Sequence, residues 1–133
     1  MCVEKQASQQ KQLGVLNKGV YMAVEQQRRQ LRQKRKASIR ARLSGTTKVP
    51  RLAVYRSNTR LSAQLIDDEK SVTLTSAWVK GKNTASAKLL GTDIAAKAKA
   101  AGIKKVVFDR GGFRYHGSIK EVAEMARAGG LVF

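Results

Sequence analysis

The short run Asp109-Arg-Gly-Gly-Phe-Arg-Tyr-His-Gly117 gathers an acid, two arginines, two aromatics and the only histidine of the chain. Arginines bridge phosphate oxygens and aromatic rings stack on bases, so such a loop suits an anionic, stackable ligand. Hydrolytic chemistry would need other residues. Two-metal catalysis requires carboxylates converging on ions about 4 Å apart. The acids to weigh for this are Asp67-Asp68-Glu69, consecutive in an expected turn and so expected to diverge, then Asp109 alone before Arg110, and Asp93 opposite Lys97 at helical spacing. Asp109 is expected to shape its loop by hydrogen bonding, with Gly111 and Gly112 supplying positive φ or close backbone approach. A nucleophilic triad has only His116 as a base and lacks a Gly-x-Ser-x-Gly elbow. The phosphate-binding glycine signatures are missing as well. With Cys2 as the one cysteine, neither a disulfide framework nor a zinc site is expected. No cofactor and no catalytic residue is assigned.

The elements that hold this loop are legible on either side of it. Val106-Val107-Phe108 is an unbroken apolar run, the mark of a strand buried on both faces. Ser118 with Glu121 forms a capping box, so a helix is expected to begin at Ser118. Ile119, Val122, Ala123 and Ala126 give it one apolar face, and Gly129-Gly130 end it. Upstream, Leu52 and Val54 alternate with Ala53 and Tyr55. Leu61, Ala63 and Leu65 then alternate with Ser62, Gln64 and Ile66, and Val72, Leu74 and Trp78 with Thr73, Thr75 and Ala77. Turn residues at 57–60 and 67–70 make these a three-strand meander. Residues 84–101 are alanine-rich, with Thr84 as the expected N-cap and Ala87, Leu90, Ile94, Ala98 and Ala101 on one stripe. Gly91 within that helix is expected to mark close approach to the sheet. The order β-β-β-α-β-α, with a right-handed crossover, places the fourth strand parallel to the first. The resulting fold class is α/β, a ribonuclease-H-like mixed sheet of order 3-2-1-4 with a basic N-terminal helical arm.

Charge points to the partner. A formal net charge of +18 in 133 residues favours a polyanion through phosphate neutralisation and counterion release. Membrane surfaces and acidic proteins also attract basic chains. However, no apolar run reaches the roughly 18 residues of a spanning helix, so no membrane partner is assigned. Between Glu25 and Asp67 no acid occurs, while arginines and lysines recur throughout. Residues 26–43 contain good helix formers with charges all round the cylinder. Neighbours such as Arg28 and Arg32, or Arg32 and Lys36, repel, so this arm is expected to order on a polyanion and to fray alone. Three parts are expected: a poorly ordered extension over 1–25, a basic arm over 26–48, and a compact α/β domain over 49–133. The glutamine-rich start carries no pattern suited to a core, and translation beginning at Met22 is an expected alternative.

Helix-turn-helix, zinc-finger and RNP1 patterns are absent, which leaves the arm, the loop and polar strand residues to make contacts. Tyr115 is expected to stack, and Phe113 to anchor the loop in the core. The stretches VYRSNTRLSAQLIDD (54–68) and KKVVFDRGGFRYHGSIKEVAEMARAGGLVF (104–133) closely resemble the bacterial-type large-subunit ribosomal protein eighteen family, the binders of 5S ribosomal RNA. KASIRARLSGTTKVPRLAVYRSN (36–58) is similar to that family's basic arm entering its first strand. The resemblance spans about 26–133. It departs from the family at Ser118, where a basic residue is common, and between Trp78 and Leu89, where this chain looks short. It implies a structural protein of the central protuberance, cytoplasmic and bacterial in type, contacting 5S and 23S ribosomal RNA and neighbouring ribosomal proteins. The RNA-binding residues it implies are Arg28, Arg29, Arg32, Lys34, Arg35, Lys36, Arg40 and Arg42 in the arm. To these it adds Arg56, Ser57, Asn58 and Gln64 in the meander, and Arg110, Arg114, Tyr115 and His116 in the loop. The rival readings are a nuclease on the same topology and a free nucleic-acid compaction protein.

Overall fold

The computed structural model describes residues 2–133, with side chains described from residue 18 onward. The elements are α1 (Cys2–Arg40), β1 (Arg51–Arg56), β2 (Arg60–Asp67), β3 (Val72–Lys80), α2 (Thr84–Ala100), β4 (Val107–Asp109) and α3 (Ser118–Ala128). They divide into two compact units, Met1–Lys34 and Arg35–Phe133. In the first, Val20, Tyr21 and Met22 are exposed, and Glu25 pairs with Arg29 one turn on at 3.5 Å. The expectations placed on the glutamine-rich start and Cys2 lie outside the described side chains. Among the described residues no helix is long and apolar enough to cross a membrane.

The second unit carries a four-stranded mixed sheet of order β3-β2-β1-β4, with β1 and β4 parallel and the other pairs antiparallel. This is the order and direction expected from the pattern of elements. The parallel pair requires a crossover, and α2 supplies it. Period-two alternation puts Leu52, Val54, Leu61, Ala63, Leu65 and Ala77 into the core, where they join Ala87, Leu90, Ile94 and Ala98 of α2 and Ile119, Val122 and Ala126 of α3. The opposite face of the sheet carries no helix from the second half of the chain. Ala53, Tyr55, Ser62, Gln64 and Trp78 lie on it, half-buried or exposed.

The structure corrects several local expectations. β3 turns Ala77 and Val79 inward and leaves Val72, Leu74 and Trp78 exposed. A bulge explains part of this: Leu65 pairs with Thr75 but Ile66 with Thr73, so Leu74 is an extra residue that breaks the alternation. β4 is an edge strand with Val107 and Phe108 only half-buried, because it pairs on one side alone. The cap of α2 is Asn83, whose Oδ1 accepts from the Ser86 N–H at 2.8 Å, and not Thr84. Ala101 falls just past α2 and is exposed. α3 does begin at Ser118, but its N-cap is Gly117 with no side-chain cap. Ser118 instead donates its hydroxyl to the Lys82 carbonyl at 2.5 Å, tying the start of α3 to the segment before α2. Phe113 packs against the core, as its position in the loop suggested.

Gly91 marks a close approach, but to α3 and not to the sheet. A Cβ there would lie 2.6 Å from the Met125 Cβ and 2.8 Å from the Val122 carbonyl oxygen. Both atoms are fixed to backbone, so the helices would have to separate. Gly91→Ala gains about 1 kcal/mol of helix propensity. Overpacking is expected to outweigh it, at about 1–3 kcal/mol or more. Urea unfolding should therefore show a lower midpoint for Gly91→Ala, whereas a raised midpoint would mean that α3 yields without loss.

Candidate nucleic-acid interface

The site is built around one guanidinium. Pro50 ends the incoming loop and Arg51 opens β1, beside Val107 of β4. Arg51 is only 7% exposed. Its Nε and Nη2 grip both carboxylate oxygens of Asp68 at 2.9 and 3.0 Å, and its Nη1 donates to Asp109 Oδ2 at 2.8 Å. Such forked, charge-assisted pairs are stronger and more directional than neutral hydrogen bonds. Asp109 is fully buried, and its other oxygen accepts from the Gly111 N–H at 2.8 Å, which opens the glycine loop. Gly111 and Gly112 both have positive φ, and a Cβ on Gly111 would sit 2.8 Å from the Val54 carbonyl. The loop thus presses directly on β1. Asp109 therefore shapes the loop, as its position implied.

The other half of the network fastens the incoming chain. Asp68 Oδ2 accepts from the Gly45 N–H at 2.7 Å, while its own N–H donates to the Gly45 carbonyl. Asp67 is buried and accepts from the Thr47 hydroxyl at 2.8 Å and from the N–H groups of Glu69 and Lys70. Arg40, in the last turn of α1, approaches Asp109 at 3.5 Å, and Arg35 Nε donates to the Gly112 carbonyl at 3.1 Å. The end of α1 is held by polar contacts and not by an apolar stripe. Asp68 and Asp109, far apart in sequence, converge on Arg51, while Asp67 turns to Thr47. Among the described residues no cluster of acids, histidines or cysteines could hold a metal ion.

These contacts set the ionisation of the acids. The Arg51 guanidinium, and after it the Gly45 N–H, hold the Asp68 carboxyl below the usual carboxylate range, against the opposing effect of burial. Burial pushes the Asp67 carboxyl up, but the hydrogen bonds from Thr47, Lys70 and Glu69 outweigh it and the net shift is downward. Arg51 is raised, first by its bond to Asp68, with burial opposing and Asp109 assisting.

Around this lock the described cations spread outward. Lys36 and Arg40 line a cleft of about 270 Å³ with Tyr55, Ser62, Gln64, Asp109 and Gly111. Arg42, Arg56, Asn58, Arg114 and His116 are exposed, and Arg110 is half-buried. Tyr55 meets the Phe113 ring edge-on at 5.9 Å. Tyr115 leans edge-on against Phe108, and its hydroxyl accepts from Arg127 at 3.3 Å, yet the residue stays 39% exposed. Ser57 spends its hydroxyl on its own turn, accepting from the Thr59 and Arg60 N–H groups and donating to the Arg60 carbonyl. The structure therefore gathers Arg35, Lys36, Arg40, Gln64 and Arg110 near the glycine loop and β1, and places Arg56, Ser57 and Asn58 at the β1–β2 turn. Arg28, Arg29, Arg32 and Lys34 belong to the first unit. Sequence reasoning missed Arg51 as the organising residue, since only the fold brings Asp68 and Asp109 to it. It also missed Arg60 and Trp78, which the β2–β3 register makes diagonal neighbours.

Residues 26–133 match the family described as ribosomal L18 of archaea, bacteria, mitochondria and chloroplast. The chain belongs to that family. The large ribosomal subunit protein uL18 of Clostridium kluyveri is 49% identical over 113 residues, covering 80% of this chain and 95% of the relative. Its counterpart from Pelotomaculum thermopropionicum is 50% identical over 116 residues, with the same coverage. That of Staphylococcus epidermidis is 50% identical over 111 residues, 77% of this chain and 92% of the relative. Members of the uL18 family are structural proteins of the large ribosomal subunit, so the chain is not an enzyme and the nuclease reading falls. The match begins at residue 26, where the resemblance read from the motifs also began.

Two consequences are measurable. Asp109→Asn leaves Arg51 short of a buried charge partner, and breaking such a pair costs about 3–5 kcal/mol. Chemical denaturation of the variant should show a loss of that size. The acid limb of stability provides the second check. Asp67 and Asp68 are lowered in the folded protein, so their contribution is present above the ordinary value of 3.8 and is lost as pH falls through the lower folded values. Asp68→Asn should lower stability at neutral pH and flatten the decline below about pH 4, measured by Tm against pH.

Proposed function

We propose that this uL18-family chain binds 5S ribosomal RNA and helps attach it to 23S ribosomal RNA in the central protuberance of a cytoplasmic, bacterial-type ribosome. Neighbouring ribosomal proteins of the protuberance are its other partners. One observation carries the reading: the Arg51–Asp68–Asp109 lock consumes the local acids internally, leaving a cationic rim of Arg35, Lys36, Arg40 and Arg110 beside the glycine loop. A rim of that kind, with a half-exposed tyrosine, suits the phosphate and unpaired-base contacts by which structured RNA is recognised. The sheet order and the parallel pairing of β4 with β1 support classing the compact unit as ribonuclease-H-like. Residues 26–48 act as a basic arm, the domain from 49 carries the shape-specific contacts, and residues 1–25 are an extension to it.

The arm and the loop should contribute differently. Arg28, Arg29 and Arg32 act through counterion release, which is weakly specific. Converting all three to glutamine should weaken binding to 5S RNA and to transfer RNA alike. It should also flatten the dependence of log K on log salt, by a little under one unit for each phosphate that is no longer neutralised. Tyr115 is pre-placed between Phe108 and Arg127. Tyr115→Ala should cost about 1–3 kcal/mol, leave the salt slope nearly unchanged, and reduce the preference for 5S RNA. Competition of 5S RNA against excess transfer RNA at physiological salt measures both. Equal affinity of the unaltered chain for the two RNAs would favour a free compaction protein and overturn the proposal.

A further inference from the structure

The open face of the sheet holds an aromatic group that the loop, the arm and the ion lock do not use. Trp78, the only tryptophan of the chain, is 62% exposed on β3. Its cross-strand partner is Ser62, too small to cover an indole, and the neighbouring row pairs Arg60 with Lys80. The Arg60 guanidinium lies over the indole at 5.0 Å from its centroid, a cation–π contact that fixes ring and cation together. Lys80 and Lys82 are exposed close by in the chain. The acid that shares this face, Asp109, is already engaged by Arg51. A large ring held flat by a guanidinium, bordered by cations and free of available carboxylates, is complementary to a polyanion with π faces.

We propose that Trp78 and Arg60 form a second stacking platform, which receives an unpaired base of ribosomal RNA on the open sheet face, apart from the glycine loop. The proposal rests on the RNA-binding reading above and adds residues and a surface to it. Stacking on aromatic side chains tolerates any base, so the platform contributes affinity with little sequence preference. Arg60 orients the ring and supplies charge to the adjoining phosphate. The β2–β3 register supplies the geometry, because strands hold side chains more firmly than a loop does.

The single tryptophan makes the test direct. The full chain is titrated separately with 5S RNA and with 23S RNA while indole fluorescence and affinity are followed. Binding should quench the emission of Trp78. Trp78→Ala should weaken binding to at least one of the two RNAs by about 5- to 150-fold, the equivalent of removing one base stack. Trp78→Phe should retain most of that affinity, and Arg60→Gln should fall between. The salt slope should be unchanged for the two Trp78 variants and reduced for Arg60→Gln. Because the ring is mostly in solvent, all three should melt like the unaltered chain. Unquenched emission together with full affinity of Trp78→Ala for both RNAs would assign the ring to a protein neighbour and overturn the platform alone. If the unaltered chain bound neither RNA, the platform and the proposed function would fall together.

Discussion

A single guanidinium, shared between two carboxylates that are far apart in sequence, is the constraint on which the rest depends. Arg51 joins the β2–β3 turn through Asp68 to the end of β4 through Asp109, at the point where the basic arm enters the sheet. Buried charges are costly unless paired and hydrogen-bonded throughout. Here the pairing is complete: among the described residues, no buried side-chain nitrogen or oxygen lacks a partner. Because Arg51 bridges both acids, the arm junction, the glycine loop and the sheet edge are tied to one another.

That rigidity matters for a chain with so much positive charge. Repulsion among the cations favours expansion, and an apolar stripe is not available to hold the end of α1 against the sheet. Polar bonds take its place, from Arg35 to the Gly112 carbonyl and from Arg40 to Asp109. Asp68 and Asp109 neutralise Arg51 at the junction, and the outer cations keep their field. A polyanion approaching this rim meets donors already placed, so less ordering entropy is lost on binding than a free basic tail would lose.

The two faces of the sheet divide the labour. One face packs against α2 and α3 through small side chains, with Gly91 letting the helices meet closely. The other presents Tyr55, Gln64, Trp78 and the cleft lined by Lys36 and Arg40. The bulge at Leu74 breaks the alternation of β3, and Val72, Leu74 and Trp78 all lie exposed. α2 and α3 thus pack on one face only, and the other keeps Tyr55, Gln64 and Trp78 exposed to a large ligand.

Local patterns in the chain determined a good deal. Period-two alternation identified β1 and β2, and helical stripes found the buried faces of α2 and α3. The lack of acids between Glu25 and Asp67 marked the basic arm. These signals are short in range, and hydrophobic burial imprints them directly on neighbouring residues. Pairing across long separations leaves no such imprint. Nothing in the spacing of Arg51, Asp68 and Asp109 shows that they meet, and nothing near Trp78 shows that Arg60 lies over its ring. The cap of α2 at Asn83, the bond from Ser118 to Lys82 and the partner of Gly91 were likewise settled by packing, where several candidates of equal local merit compete. Sequence alone determined which stretches form helices and strands and that the surface is cationic. The tertiary structure decided which charges are spent inside the protein and which remain outside, because only closure of the sheet brings a buried carboxylate to its guanidinium.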